Sequence, residues 1–333
     1  MTYTRRQFLE STSALSAASL FGLSRPAAAE PPPEIRKIRL VKMPVICFAP
    51  EYLAEELLLL EGFTEVEYVN INRPAAPDML MANQADISVD TPPALLPELD
   101  AGKSVVALAG LHGGCYELFA NAQVQGIRDL KGKRIAVSGV PGIEYYYIAS
   151  MLAYVGIDPH KHIQWIDSRS NHNAMQNFID GKADAFLAFP PEPQQMRVKK
   201  IGSVIVNTSQ DRPWNQYYCS LIAARPQFVS QYPVATKRAV RAILKATDIC
   251  AREPERAAKY IVAKGYEPSY EIALEVVKSL SYDGWRRYDP EDSLRFFGVR
   301  LHEVGMIKTS PNKLIAKGTD WRFLNELKRE LKA

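Results

Sequence analysis

Two stretches about a hundred residues apart repeat the same order of residue types. Asn83-Gln84-Ala85-Asp86-Ile87 runs on to Thr91-Pro92-Pro93, and Gly181-Lys182-Ala183-Asp184-Ala185 runs on to Phe189-Pro190-Pro191. Each copy reads as the end of a helix, an Ala-Asp pair, a short apolar strand and a loop with paired prolines. One supersecondary unit used twice points to two similar lobes. Chance similarity between α/β segments is the other reading of the repeat taken alone.

The rest of the chain alternates in the same way. Short apolar runs at residues 38–41, 66–71, 87–89, 105–108 and 116–120 read as strands, with helical stretches at 51–60, 77–83 and 94–99 between them. A boundary is expected at Gly126 to Gly132, and a second series follows. Its strands are expected at 134–137, 163–166, 185–188, 204–206 and 217–223, its helices at 143–155, 173–180 and 192–198. Beyond residue 223 the pattern is helical, with breaks near Pro254, Gly265, Pro290 and Pro311. The fold class this predicts is α/β: two lobes, each a mixed sheet flanked by helices.

The N-terminus differs from the rest. Arg5-Arg6-Gln7-Phe8-Leu9, a weakly apolar stretch from Ala14 to Leu23, and Ala27-Ala28-Ala29 read as a twin-arginine (Tat) export signal over residues 1–29, cleaved near Ala29. A soluble periplasmic protein is then expected, organised as lobe I (30–123), lobe II (124–221) and a return to lobe I with C-terminal helices (222–333). The net charge of +4 is mild, and no basic stripe of the kind nucleic-acid binders carry is present. The four cysteines, Cys47, Cys115, Cys219 and Cys250, match no disulfide framework or metal-ligand spacing. They read as buried apolar thiols.

Asp129-Leu130-Lys131-Gly132-Lys133-Arg134-Ile135-Ala136-Val137, with Gly156-Ile157-Asp158-Pro159 after it, resembles the second-lobe opening of the nitrate/sulfonate/taurine-type (NMT1/THI5-like) periplasmic solute-binding proteins of ABC transporters. Gly181-Lys182-Ala183-Asp184-Ala185-Phe186 with Phe189-Pro190 resembles another stretch of that family. So do Arg225-Pro226-Gln227-Phe228-Val229 and Arg252-Glu253-Pro254-Glu255-Arg256-Ala257-Ala258. The resemblance implies a two-lobed periplasmic binding protein fold of type II kind. It places hinge crossings near residues 121–127 and 219–225, and a ligand cleft between lobes that close upon it.

Ligands of open α/β sheets sit beyond the carboxyl ends of the strands. Candidate contacts are therefore Cys47 and Phe48, Asp90 and Thr91, and His112 beside Gly113-Gly114. In the second series they are Gly139, Gly142, Ile143, Glu144 and Tyr145, then Phe189 and Glu192, with Tyr217 near the second crossing. Gly139 and Gly142 let the backbone approach a ligand at a helix start. The family that the chain resembles tends to carry small hydroxyl residues here, suited to sulfonate or nitrate oxygens, and this sequence departs from it with Ile143 and Glu144. Of the consecutive Tyr145, Tyr146 and Tyr147, only some can face one way at about 100° per residue. Asp90 has a second candidate role, capping the helix after it.

These features predict a substrate-binding component of an ABC importer, capturing a small organic anion by hinge closure. The anion would be of sulfonate, taurine or nitrate type, or an aromatic carboxylate. Its partners would be that ligand and a membrane permease, with no nucleic acid, no cofactor and a monomeric state. No Ser-His-Asp set, H-E-x-x-H, Walker A or G-x-G-x-x-G motif is present, so an enzyme is not expected. The alternatives are an enzyme on the same fold, of thiamine-pyrimidine type or using Cys115 and His112, and a sensor docking on a membrane receptor.

Overall fold

The structure, a computed structural model, describes residues 30–43, 45–71 and 76–332. The export signal expected over residues 1–29 lies outside the described residues. The strands are β1 (Lys37–Lys42), β2 (Glu65–Asn70), β3 (Ile87–Asp90), β4 (Val106–Gly110), β5 (Glu117–Ala120), β6 (Arg134–Val137), β7 (Gln164–Asp167), β8 (Ala185–Ala188), β9 (Ser203–Asn207) and β10 (Leu221–Ala224). Among the described residues the helices of eight residues or more are α1 (Ala49–Leu60), α2 (Pro92–Asp100), α3 (Ile143–Tyr154), α4 (Asn171–Ile179), α5 (Glu192–Lys199), α6 (Pro233–Arg252), α7 (Pro254–Ala263), α8 (Tyr270–Ser279), α9 (Pro290–Glu303), α10 (Pro311–Gly318) and α11 (Arg322–Glu330). The prolines read as breaks at 254, 290 and 311 each open a helix, because proline fits the first helical position, where its missing N–H costs nothing.

Two five-stranded mixed sheets result, ordered β2-β1-β3-β10-β4 and β7-β6-β8-β5-β9. In each, the first three strands are parallel and the fourth runs antiparallel to both its neighbours. That fourth strand comes from the other half of the chain. β4 leads through residues 111–116 into β5 of the second sheet, and β9 leads through 208–220 into β10 of the first. The central strands β8 and β10 are buried along their whole length, whereas the edge strand β2 alternates and carries charge. Lys37 bridges Glu65 and Glu67 there at 2.7 Å each, which blunts the open edge.

The first crossing thus precedes the segment expected at 121–127. An apolar run such as residues 117–120 does not reveal which sheet it will join; pairing with β8 and β9 decides that. The second crossing spans 208–220, and residues 217–220, expected as strand, belong to it.

The internal repeat has a physical basis. Asp86 precedes β3 and Asp184 precedes β8, each the third strand of its sheet. Asp86 accepts from Arg39 N, Nε and Nη2 at 2.9, 3.1 and 2.7 Å, and Asp184 accepts from the same three atoms of Arg134 at 2.9, 3.2 and 2.9 Å. The carboxylate fixes the neighbouring parallel strand by its backbone and by its side chain at once.

The two crossings run against each other. Cys219 N donates to His112 O at 2.8 Å and Leu111 N to Ser220 O at 3.0 Å. Thr208 ties them at the second-sheet end: its Oγ1 accepts from Cys115 N and Tyr116 N at 3.1 and 2.9 Å and donates to Tyr116 O at 2.9 Å. Thr208→Val keeps the shape and strands two buried N–H groups. It is expected to lower stability by about 2 to 4 kcal/mol in urea unfolding, and a change below about 1 kcal/mol would show that water takes the hydroxyl's place.

Candidate functional site

Two adjoining cavities, about 210 and 190 Å³, lie between the sheets and share Met43, Phe48, Thr91 and Ile143 as walls. Their lining follows the carboxyl ends of the parallel strands. Met43 and Phe48 follow β1, Ile71 follows β2, and Asp90 and Thr91 end β3. Ser138, Pro141 and Gly142 follow β6, Asn171 follows β7 and Phe189 follows β8. Six loops, three from each sheet, would be too many to meet by chance; the parallel arrangement directs all of them to one side.

The structure brings together Cys47, Phe48, Asp90, Thr91, Gly142, Ile143, Glu144 and Phe189 in the lining of these cavities. Gly139 and Glu192 are outside the lining but adjoin it: Gly139 O lies against Gly142, and Glu192 accepts from Phe189 N at 3.2 Å. His112 is wholly buried and outside it; its ring meets Tyr282, and Nδ1 faces Gly114 O at 3.1 Å. Tyr217 stacks on Phe296 at 4.0 Å between ring centroids, away from both cavities. Among the three tyrosines the helix period selects Tyr146 for the cavity wall. Tyr145 packs on Trp165 at 4.7 Å, and Tyr147 on Tyr116 and Phe297 at 4.6 and 5.2 Å.

Sequence reading missed Ile71, Ala94, Glu98, Tyr146 and Asn171. The rule that named the other loops also covers those after β2 and β7, so Ile71 and Asn171 had a usable signal. Glu98 and Tyr146 had none, because their orientation depends on how α2 and α3 are seated.

The charged side chains of the lining are all carboxyl groups. Asp90, Glu98 and Glu144 contribute to it, and among the described residues no Lys, Arg or His does. Burial pushes Asp90 up to about 6, against the pull of the Ser88 hydroxyl that donates to it at 2.7 Å. Burial, helped by Glu144, pushes Glu192 up to about 7. Glu144 is raised by burial as well, although Ser138 Oγ donates to it. Behind Asp90, Glu51 is fully buried with neither oxygen partnered, and burial holds it well above the usual carboxylate range. Lys103 is the cation near Asp90, and it is held by Glu98 at 2.5 Å and Asp78 at 2.6 Å. Thr91 begins α2, so the capping place considered for Asp90 falls to Thr91. Its hydroxyl does not cap; it is buried, unpartnered and part of both cavity walls.

All four cysteines are buried free thiols. Three of them, Cys47, Cys115 and Cys219, line the second cavity. Among the described residues no three His, Cys, Asp or Glu side chains are placed to hold a metal ion, and no helix is long and apolar enough to cross a membrane.

The same architecture occurs in solved structures. The periplasmic nitrate-binding protein NrtA from Synechocystis PCC 6803 superposes with a TM-score of 0.74 at 17% identity, covering 91% of this chain and 90% of that one. The alkanesulfonate-binding protein SsuA from Xanthomonas axonopodis pv. citri, bound to MOPS, gives 0.67 at 16% identity over 88% of this chain and all (100%) of that one. The desulfurization enzyme DSZB gives 0.61 at 15% identity over 89% and 99%. At such identities the likeness is one of fold, and it spans both binding proteins and an enzyme. No curated protein matches the sequence. The NMT1/THI5-like family model matches residues 61–257, which run from the end of α1 through both crossings and the whole second sheet. With that match extending over more than half of its length, the chain belongs to the NMT1/THI5-like family.

Proposed function

We propose that this protein is the substrate-binding component of an ABC importer, delivering a small organic ligand to a membrane permease after the two lobes close on it. The observation that carries this reading is the cleft itself: loops from both sheets converge on it, and two paired crossings join the halves as a hinge would. Twin-arginine export, a periplasmic location and a monomeric state belong to the same proposal. So do lobe boundaries placed at the crossings.

The lining bears on the ligand. Met43, Phe48, Ile71, Val89 and Ile143 suit an apolar body, and the carboxyl groups suit hydrogen-bond donors. The organic anion expected from sequence fits this wall when it carries donors of its own, as an amine-bearing acid does. The sign of the pH dependence separates the cases. A donor-bearing ligand binds more tightly as Asp90 and Glu192 ionise above pH 6 to 7. A bare anion binds more tightly below that range, where the protonated acids can donate.

The test is a thermal-shift and calorimetric panel of matched amines, amino acids, sulfonates, carboxylates and nitrate at pH 5.5 and 7.5. A ligand at about 100 times its dissociation constant should add about 2.7 kcal/mol of stability. Thr91→Val should weaken its binding about tenfold. Small-angle scattering should show the particle contract on binding. A ligand that binds outside the cleft, or is turned over, would overturn the proposal.

A further inference from the structure

Cys47, Cys115 and Cys219 form a chain of sulfurs where three parts of the molecule meet. Cys47 lies in the loop after β1, Cys115 lies in the first crossing, and Cys219 lies in the second. Cys219 Sγ is 3.2 Å from Cys115 Sγ, which is 3.8 Å from Cys47 Sγ. All three line the second cavity, which adjoins the first between the sheets. Cys250 lies apart, in the wall of another cavity, and serves as an internal control.

The three thiols are unequal. The Cys115 thiol donates toward Cys47, and with His112 it holds Cys47 down at about 6. Burial pushes Cys115 well above the ordinary thiol range. His112 Nε2 is buried with no hydrogen-bond partner, and the ring and Cys47 share Tyr282: one meets its ring, the other's carbonyl accepts from its hydroxyl at 3.0 Å. A thiolate is the attacking species in disulfide exchange, and a neighbouring thiol is what resolves the product.

We infer that these three cysteines are a redox site in which Cys115 and Cys219 can be joined as a disulfide that ties the two crossings together, with Cys47 as the entry thiol. The oxidant is a disulfide, R–S–S–R. The Cys47 thiolate attacks one sulfur, forming a mixed disulfide and expelling RS⁻. Cys115 then attacks the Cys47 sulfur, and its proton leaves with the second RS⁻. Cys219 attacks Cys115, gives up its proton and returns Cys47 as a thiolate. In sum, two protein thiols lose two electrons and two protons, R–S–S–R becomes two RSH, and one S–S bond forms between the crossings. That this bond restrains the hinge rests on the importer reading; the bond chemistry does not.

The experiment treats the full reduced chain with oxidised glutathione, traps free thiols at intervals and maps peptides by mass spectrometry. The expected product is about 2 Da lighter, with Cys115 linked to Cys219 and Cys250 free. Cys47→Ser should give the same product at a rate at least ~10-fold lower. Cys219→Ala should stop at a link between Cys47 and Cys115 or at a glutathione adduct on Cys47. Hydrogen exchange at residues 111–116 and 208–220 should slow in the oxidised wild type. Thiols that stay free, a link through Cys250, or a rate unaffected by Cys47→Ser in a variant that unfolds like the wild type would each overturn the redox site. A Cys115–Cys219 link that leaves exchange unchanged would overturn the restraint alone, and loss of ligand closure in the reduced protein would count against the importer reading instead.

Discussion

Gly114→Ala is expected to cost about 2 to 5 kcal/mol of stability, read as a lower urea midpoint with an unchanged slope. Two terms add. Gly114 has φ +66°, a left-handed conformation that costs an L side chain roughly 1 to 2 kcal/mol. A Cβ there would also lie 2.5 Å from the Cα of Ser209, which is backbone of the opposite crossing and cannot swing aside. Overpacking of this kind costs about 1 to 3 kcal/mol. The control is Gly132→Ala, at φ +81° with nothing within 4 Å of the added carbon, which should show the first term alone. Equal losses at the two positions would mean that the crossings are not packed together as tightly as the structure has them. A larger loss at Gly114, with the second-sheet half less protected in hydrogen exchange, would place the strain at the junction.

The second large effect is a gain of stability on acidification of the ligand-free protein between pH 7.5 and 5. Asp90 and Glu192 titrate in the folded protein near 6 and 7, far above unfolded carboxyl groups. Glu51 and Glu144 are raised too. Between the unfolded and folded values the folded state holds protons that the unfolded state has released, so rising pH costs stability through that window. Each pH unit below the folded value is worth about 1.4 kcal/mol, which makes roughly 4 kcal/mol for Asp90 and Glu192 together between pH 7.5 and 5. Solvent in the cleft screens both, and about half of that is the expected effect. Cys47 acts in the opposite sense: its lowered value adds stability that is lost as pH falls through about 6. The measurement is therefore made in Cys47→Ser protein, where the unfolding temperature should rise by about 5 °C from pH 7.5 to 5.5. Asp90→Asn and Glu192→Gln should flatten the profile. A profile that is flat before those substitutions would mean that the cleft hydrates its acids fully, and the pH-sign test of ligand class would lose its basis.

Much of this protein was legible from residue order alone. The strand-helix alternation, the two halves and the loops facing the cleft follow from local rules: apolar period, breaks at proline and glycine, and ligands beyond the carboxyl ends of strands. The repeated Ala-Asp pair was readable as a repeat, and its cause became visible only when Arg39 and Arg134 proved to be its partners across the sheet. Those arginines lie about fifty residues from their aspartates, beyond the reach of any local pattern.

Tertiary structure decided what depends on long-range pairing. It put residues 117–120 into the second sheet and so moved the first crossing upstream. It turned Tyr146 to the cleft and Tyr145 to Trp165, since rotation of α3 is set by what packs behind it. It gathered Cys47, Cys115 and Cys219, which are far apart in sequence, because the two crossings run antiparallel and the loop after β1 ends beside them. A sequence states which groups exist and which local shapes they favour; distance between groups remote in the chain is set by the sheet pairings, and the chemistry of the cleft depends on those distances.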